Sequence, residues 1–224
     1  MAVDHDTATG RPGWRATLAG ARPWGRHATE LAAGAGLLGL SLALLAEGTS
    51  TVPGWEARLF REINDLPGFL EAPLWPIMQL GNLWMVAAGS AFVWVLTRRW
   101  RPTAAAATAV LLAWFGAKVV KQVVARARPA DLLVNVHIRE AGIHGNGYVS
   151  GHTATAFAFA TVLTPLLRGR WRYVPFGVAG VVGLARIYFG AHLPLDVLGG
   201  AGLGVLCGLV ASIIFGTIHP VRDR

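Results

Sequence analysis

Apolar residues run through this chain in long blocks, not in the narrow stripes of a soluble amphipathic protein. Six blocks suit membrane spans, each of which needs roughly 17–25 mostly apolar residues in a helix. They lie near Leu31–Glu47, Leu74–Leu96, Thr103–Val124, Ser150–Leu167, Tyr173–Phe189 and Leu193–Ile218. No long polar segment divides them and no internal repeat is visible. The pattern therefore predicts one all-α domain, a polytopic membrane bundle of six transmembrane helices over residues 29–218. A basic segment, 1–28, precedes it and a short tail, 219–224, follows. Between the first two blocks, in "WEARLFREINDL", Trp55, Leu59, Ile63 and Leu66 recur at helical spacing. That spacing predicts an amphipathic helix on the outer interface, which either guides a lipid toward a site or simply packs over the bundle.

Composition supports the membrane reading. Of the 224 residues, 54% are hydrophobic and only 14% charged, against about 25% charged in a soluble domain. A net charge of +8 would suggest nucleic acid binding in a soluble protein. Here its distribution is topological, and no nucleic acid partner is expected. Twelve of the 20 Lys and Arg residues fall on one side of the six-span layout: Arg11, Arg15, Arg22 and Arg26; Arg98, Arg99 and Arg101; Arg168, Arg170 and Arg172; Arg222 and Arg224. Basic loops stay cytoplasmic, so both termini are expected inside, with Trp100 and Trp171 as interfacial anchors. The first span reads as a retained anchor, because no small-residue cleavage site follows it. The expected location is the plasma (inner) membrane. The single cysteine, Cys207, excludes an intramolecular disulfide and a cysteine metal cluster, and reads as a small packing residue.

The remaining basic residues gather on the outer side: Arg58 and Arg61 in the amphipathic stretch, then Lys118, Lys121, Arg126, Arg128, Arg139 and Arg186. Cations near or within spans are costly and usually functional. Lys118 and Arg126 read as interfacial residues that snorkel. Lys121 and Arg128 do not, because seven residues place them on one helix face two turns apart, with Pro129 ending that helix. The outer loops join spans three to four and five to six, so the outer ends of these spans converge. They carry Lys121, Arg128, Ser150, Gly151, His152, Arg186, His192 and Asp196.

Three cations, two imidazoles, a carboxylate and a helix N-terminus make a phosphate site. Ser150 suits an N-cap, and the free N–H groups of Gly151 and His152 would then face an anion with the helix dipole behind them. His192 precedes Pro194, which suits the first turn of a new helix. Asp196, four residues on, is within reach of the His192 ring. A carboxylate holding one ring N–H fixes the tautomer and frees the other nitrogen to attack. His152 is then the imidazole that protonates a leaving oxygen.

These residues resemble the type 2 phosphatidic acid phosphatase superfamily, the integral-membrane lipid phosphate phosphatases. Lys, six residues, Arg, Pro is matched by "KQVVARARP", Lys121 to Pro129. Pro-Ser-Gly-His is matched by "VSGH", Val149 to His152, and Ser-Arg, five residues, His, three residues, Asp by "ARIYFGAHLPLD", Ala185 to Asp196. Val149 stands for the motif proline and Ala185 for the motif serine; neither lost residue is charged or nucleophilic. The resemblance implies that Lys121, Arg128, Arg186, Ser150 and Gly151 bind phosphate. It implies that His192 becomes a phosphohistidine, that Asp196 orients it, and that His152 is the acid and then the base. No metal or cofactor is implied, and the substrate would be a lipid phosphate or diphosphate: a polyprenyl diphosphate, phosphatidic acid or phosphatidylglycerol phosphate. The active site would face the extracytoplasmic side. Alternatives are a lipid-linked phosphotransferase using the same site, or a non-catalytic membrane transporter. His137 and His144 read as loop histidines, since the tight ligand spacing of a zinc site is missing.

Overall fold

A computed structural model describes residues 23–46 and 50–216. Arg11, Arg15, Arg22, Glu47, Ile218, Arg222 and Arg224 of the topology reading lie outside the described residues, as do most of segment 1–28 and the tail 219–224. Among the described residues the chain forms nine α-helices and no strand. They are α1 (Pro23–Leu45), α2 (Gly54–Asn64), α3 (Glu71–Met78), α4 (Met85–Thr97), α5 (Trp100–Val124), α6 (Pro129–Leu132), α7 (Gly151–Leu163), α8 (Val174–Tyr188) and α9 (Pro194–Phe215).

Helix α9 is the centre of the bundle, packed against α7, α1 and α5. Small residues make that possible. Gly200, Gly204 and Gly208 recur every fourth residue, and a Cβ on them would meet Ser150 O at 2.6 Å, Ala154 O, and Thr161 Cβ at 2.6 Å. This face of α9 therefore rests directly on the backbone of α7, as small-residue seams do between membrane helices. On α5, Ala105, Ala109, Ala113 and Ala117 are buried at the same four-residue interval. The seams set α7 firmly against α9, which fixes the distance between the two helix N-termini at one end of the bundle.

Among the described residues three stretches are long and apolar enough to cross a membrane: His27–Leu45, Trp100–Leu132 and Pro194–Phe215. Spans four and five of the sequence reading correspond to α7 and α8, of 13 and 15 residues, with 3-10 turns at Thr164–Leu166 and Gly169–Tyr173 between them. Span two differs from expectation. It is not one helix but a pair, Gly68–Gly81 with Met85–Thr97, bent by 81°. Asn82 is extended at the break, its Oδ1 accepting from Leu83 N at 2.6 Å. An Asn side chain that satisfies its neighbour's N–H competes with continued helix. The break also lets Gly81 lie against α7, where a Cβ would stand 2.6 Å from His152 O.

The amphipathic helix forms as α2. Trp55 and Leu59 on it, and Leu66 just beyond it, are exposed, while Ile63 packs against the bundle. The buried face is Glu56, Ala57, Phe60 and Asn64. Phe60 joins a cluster with Ile187 and Leu193, and Asn64 clamps the far end of α8. Asn64 Nδ2 donates to His137 O at 2.9 Å and Tyr188 O at 3.0 Å, while its Oδ1 accepts from His137 N at 2.9 Å. The polar residues win the interior because backbone and charged groups already wait for them there.

Candidate functional site

The site is built at one end of the bundle, where α5 finishes and α7 and α9 begin. Helix α5 stops at Val124, with Ala125 in the left-handed conformation at φ 51°. Arg128 is extended, and Pro129 opens the short helix α6. Lys121 and Arg128 therefore do not share one helix face, as the sequence spacing suggested. A loop brings them together instead. Lys121 Nζ donates to Asn146 O at 2.7 Å and Gly147 O at 2.9 Å. Arg128 Nε donates to His144 O at 3.2 Å and Gly145 O at 2.9 Å, and its Nη1 to Ala191 O at 2.8 Å. An ammonium has three donors and a guanidinium five, so both keep N–H groups for a ligand.

Ser150 is the N-cap of α7, as predicted. It is fully buried, and its Oγ accepts from Thr153 N at 3.4 Å and Thr153 Oγ1 at 2.9 Å. Its hydroxyl oxygen thus serves the helix mouth, while its own O–H remains a donor. Ser150 N donates to Asp196 O at 2.9 Å, tying the start of α7 to the first turn of α9. The N–H groups of Gly151 and His152 have no intrahelical acceptor at that position and carry the positive end of the helix dipole.

His192 sits between α8 and α9, fully buried, with its N–H donating to Arg186 O at 3.2 Å. Pro194 opens α9, and Asp196 in its first turn accepts from Leu193 N at 2.9 Å through Oδ2. His192 Nδ1 lies 3.5 Å from the same Oδ2. That is beside it and short of a hydrogen bond, and Nδ1 has no other partner among the described residues. Burial, and then the charges of Lys121, Arg186, Arg128 and His152, hold His192 well below the usual imidazole range. The same three cations, with Arg186 foremost, act on His152. So Lys121, Arg128, His152, Arg186, His192 and Asp196 form one cluster.

Three residues of the site were not anticipated. Arg126, read as a snorkelling interfacial residue, is fully buried. It donates to Asp196 Oδ1 at 2.9 Å and to Glu56 at 3.1 and 2.6 Å. Its buried position has a simple cause, since the left-handed turn at Ala125 swings the chain inward beneath Gly147, whose N–H donates to Arg126 O at 2.7 Å. Glu56 also accepts from Leu195 N at 2.9 Å, so one carboxylate caps α9 and pairs with Arg126. Glu140 pairs with Arg186 through Oε2 and Nη1 at 2.6 Å. The same Nη1 touches Met78 Sδ at 3.0 Å, and Arg186 Nε is buried without a partner. The signal for Arg126 was its place inside the Lys121–Pro129 motif; nothing local marked Glu56 or Glu140.

Lys118 sits over Trp114 and Phe115, 5.4 and 5.8 Å from their ring centroids, as a snorkelling side chain would. Arg139 covers Tyr188 at 4.3 Å. His137 is exposed beside Asp65, away from the cluster. A cavity of about 400 Å³ opens outside it, lined by Arg128, Asp131, Glu140, His144 and Gly190. Among the described residues no group of three or more His, Cys, Asp or Glu side chains is placed to hold a metal ion.

Comparison with known proteins shows what the chain is similar to. The sequence model of the PAP2 superfamily matches residues 102–220, which include all of this cluster, with Glu56 and Met78 outside the match. Lipid A 1-phosphatase of Porphyromonas gingivalis is 45% identical over 74 residues, 32% of this chain and 17% of that protein. The matches span less than half the length of each curated relative. The crystal structure of Aquifex aeolicus LpxE is similar with a TM-score of 0.64 and 29% identity, over 69% of this chain and 93% of that one. That of the transmembrane PAP2-type phosphatidylglycerolphosphate phosphatase from Bacillus subtilis shares the fold, with a TM-score of 0.64 and 20% identity over 85% of this chain and 100% of that one.

Proposed function

The chain belongs to the PAP2 superfamily, and from that premise we propose that it is a membrane-embedded lipid phosphate phosphatase working through a phosphohistidine. One observation carries the reading: a buried imidazole stands among three cations with a carboxylate 3.5 Å behind it. Lys121, Arg128 and Arg186 bind the phosphate oxygens, together with the N–H groups of Gly151 and His152. His192 faces Asp196 through Nδ1, so Nε2 is its free nucleophile. The Nε2–P bond forms as the P–O bond to the lipid breaks, and His152 gives its proton to the departing oxygen. His152 then takes a proton from water, whose oxygen attacks phosphorus and releases phosphate and neutral His192.

A bound phosphate brings negative charge among the cations, which favours the protonated form of His152 needed for the first step. Phosphoryl transfer asks mainly for positioning and charge stabilisation. The three cations supply both, so the reaction needs no metal ion or cofactor. An apolar groove of about 340 Å³, lined by Leu80, Phe159, Leu163, Val178 and Trp171, starts beside the Gly81–His152 contact and gives room for an alkyl chain. The six-span layout, with cytoplasmic termini and an outward-facing site, belongs to this reading.

The test is a panel with the purified full-length protein: lipid A 1-phosphate, phosphatidic acid, phosphatidylglycerol phosphate and a polyprenyl diphosphate, with and without EDTA and with vanadate. Phosphate release from at least one, insensitive to EDTA and inhibited by vanadate, is expected. Release that stops in EDTA and returns with Mg²⁺ would sink the mechanism. Transfer to an added alcohol in place of water would make the protein a phosphotransferase.

A further inference from the structure

Resting on the phosphatase reading, we infer that Glu56 and Arg126 are positioning residues for the reaction, acting through Asp196 on His192. The contacts define a chain of four side chains. Glu56 holds Arg126 by two hydrogen bonds, Oε1 to Nη1 at 3.1 Å and Oε2 to Nη2 at 2.6 Å. Arg126 Nη1 holds Asp196 Oδ1 at 2.9 Å. With Oδ1 occupied, the carboxylate has only Oδ2 to present to Leu193 N at 2.9 Å and to His192 Nδ1 at 3.5 Å. Glu56, Arg126 and Asp196 are all fully buried, so no water competes for these bonds.

The order of the chain matters. A carboxylate can rotate about its last bond, and a rotation of Asp196 would take Oδ2 away from the imidazole. The guanidinium blocks that rotation. Arg126 would itself be free to move, but a planar fork gripped at two nitrogens by one carboxylate is fixed in plane and direction. Glu56 also accepts from Leu195 N at 2.9 Å, so the same residue anchors the first turn of α9 that carries Asp196. A reacting imidazole has to be held to a fraction of an ångström, which is what supporting side chains do for a site.

Two buried carboxylates around one guanidinium would also suit a purely structural pair. The distinction is whether the energy reaches His192. Glu56 lies on α2, outside the residues 102–220 that carry the family match, so the positioning network crosses from that core to the helix whose Trp55 and Leu59 are exposed.

The experiment uses the full-length protein in lipid–detergent micelles, with turnover expressed per vanadate-binding site so that unfolded protein does not count. Arg126→Lys keeps the charge and loses the fork; Glu56→Gln keeps the shape and an acceptor for Leu195 N. Each is expected to lower kcat by about tenfold or more while KM changes by less than about threefold, the signature of an interaction that matters in the transition state. In an Asp196→Asn background, Arg126→Lys should cost little further, because residues acting through one another are not additive. Wild-type kcat in both variants, losses that add fully to that of Asp196→Asn, or loss of all vanadate binding in both would each overturn the inference. If the wild-type protein hydrolyses no lipid phosphate, the phosphatase reading itself fails; wild-type activity with unaffected variants fails this inference alone.

Discussion

Arg126 donates to both oxygens of Glu56, 70 residues earlier in the chain, and neither side chain is exposed. The pair ties the amphipathic helix α2 to the turn after α5 and, through Leu195 N, to the start of α9. Three elements distant in sequence thus meet on one carboxylate. A buried ion pair contributes modestly compared with a well-packed apolar substitute, because both charges lost their water. Breaking one is another matter, since the partner left behind keeps the desolvation and loses its compensation.

Stability should therefore depend on Glu56 in a specific way. Glu56→Ala leaves Arg126 with a single carboxylate and Leu195 N without its acceptor, and should cost about 3–5 kcal/mol. Glu56→Gln, which keeps an oxygen for Leu195 N, should cost clearly less. Thermal unfolding in a fixed detergent measures both, and equal melting temperatures for the Ala variant and the wild type would rule out a structural share for the pair.

His192→Ala should abolish turnover and the acid-labile phosphoenzyme together. Asp196→Asn should lower kcat by about four orders of magnitude, as loss of the orienting carboxylate does in a catalytic triad. Rapid-quench labelling with a ³²P-lipid phosphate distinguishes the two steps. Appreciable turnover by the His192→Ala protein would remove the nucleophile assignment.

The pH dependence follows from the depressed protonation of His192, caused by burial first and then by Lys121, Arg186, Arg128 and His152. The imidazole must be neutral to attack, so the acid limb of kcat/KM, which reports the free enzyme, should lie below pH ~6.5, at the lowered value of His192, while the other limb reports the proton that His152 must carry. Lys121→Gln removes one repelling charge and should move that acid limb upward. Stability changes in the same window. An unfolded chain binds a proton on His192 below pH ~6.5 while the folded one does not, so stability declines as pH falls from there toward the lowered value. Denaturant melts between pH 5 and pH 8 would show it, and a pH-independent midpoint would contradict it.

What the sequence made legible, and what it hid, divides along a physical line. Helices and their outer ends were readable because bilayer length and local capping act within a few residues: Ser150 as an N-cap and Pro194 at the first turn of α9 are where expected. Lys121, Arg128, His152, Arg186, His192 and Asp196 do gather, because the link between α8 and α9 is short and the longer one between α5 and α7 folds back on the helix ends. Arg126 was misread because its burial depends on one left-handed residue, Ala125, for which no glycine gives a warning. Glu56 was hidden because its helix has two plausible faces. Hydrophobic periodicity picks the apolar one for the core, but beside lipid the apolar face is content outside and the charged face goes in. Span two looked continuous because Gly81 and Asn82 are individually mild breakers, and the contact of Gly81 with His152 that requires the bend comes from 71 residues away in sequence.

Glu140 offers a further test. Its carboxylate holds Arg186 Nη1 at 2.6 Å with its side chain partly exposed at the rim of the outer cavity. A phosphate taking Arg186 must compete with it. Glu140→Gln weakens the competitor and should tighten vanadate or inorganic phosphate binding several-fold, within the range of about 1 kcal/mol typical of a partly exposed ion pair. Isothermal titration with vanadate reads this directly. Weaker binding in the variant would mean instead that Glu140 holds Arg186 in place for the substrate.

The side of the membrane on which this chemistry occurs is set by charges far from the site. Arg98, Arg99 and Arg101 precede or begin α5, and Arg168, Arg170 and Arg172 lie in the link from α7 to α8, at the opposite end of the bundle from His192. Trp100 and Trp171 are both exposed within these clusters, as interfacial anchors are. Basic links of this kind stay in the cytoplasm, so the loop holding His144 should open outside and the site should act on lipid phosphates of the outer leaflet. Cys207, the single cysteine, makes the test direct. In a Cys207→Ser background, His144→Cys should react with a membrane-impermeant maleimide on intact cells, because His144 lines the outer cavity. Arg170→Cys should react only after lysis. The reverse pattern would place the cavity in the cytoplasm, and the outer-leaflet role would fall while the chemistry of His192 remained to be judged on its own measurements.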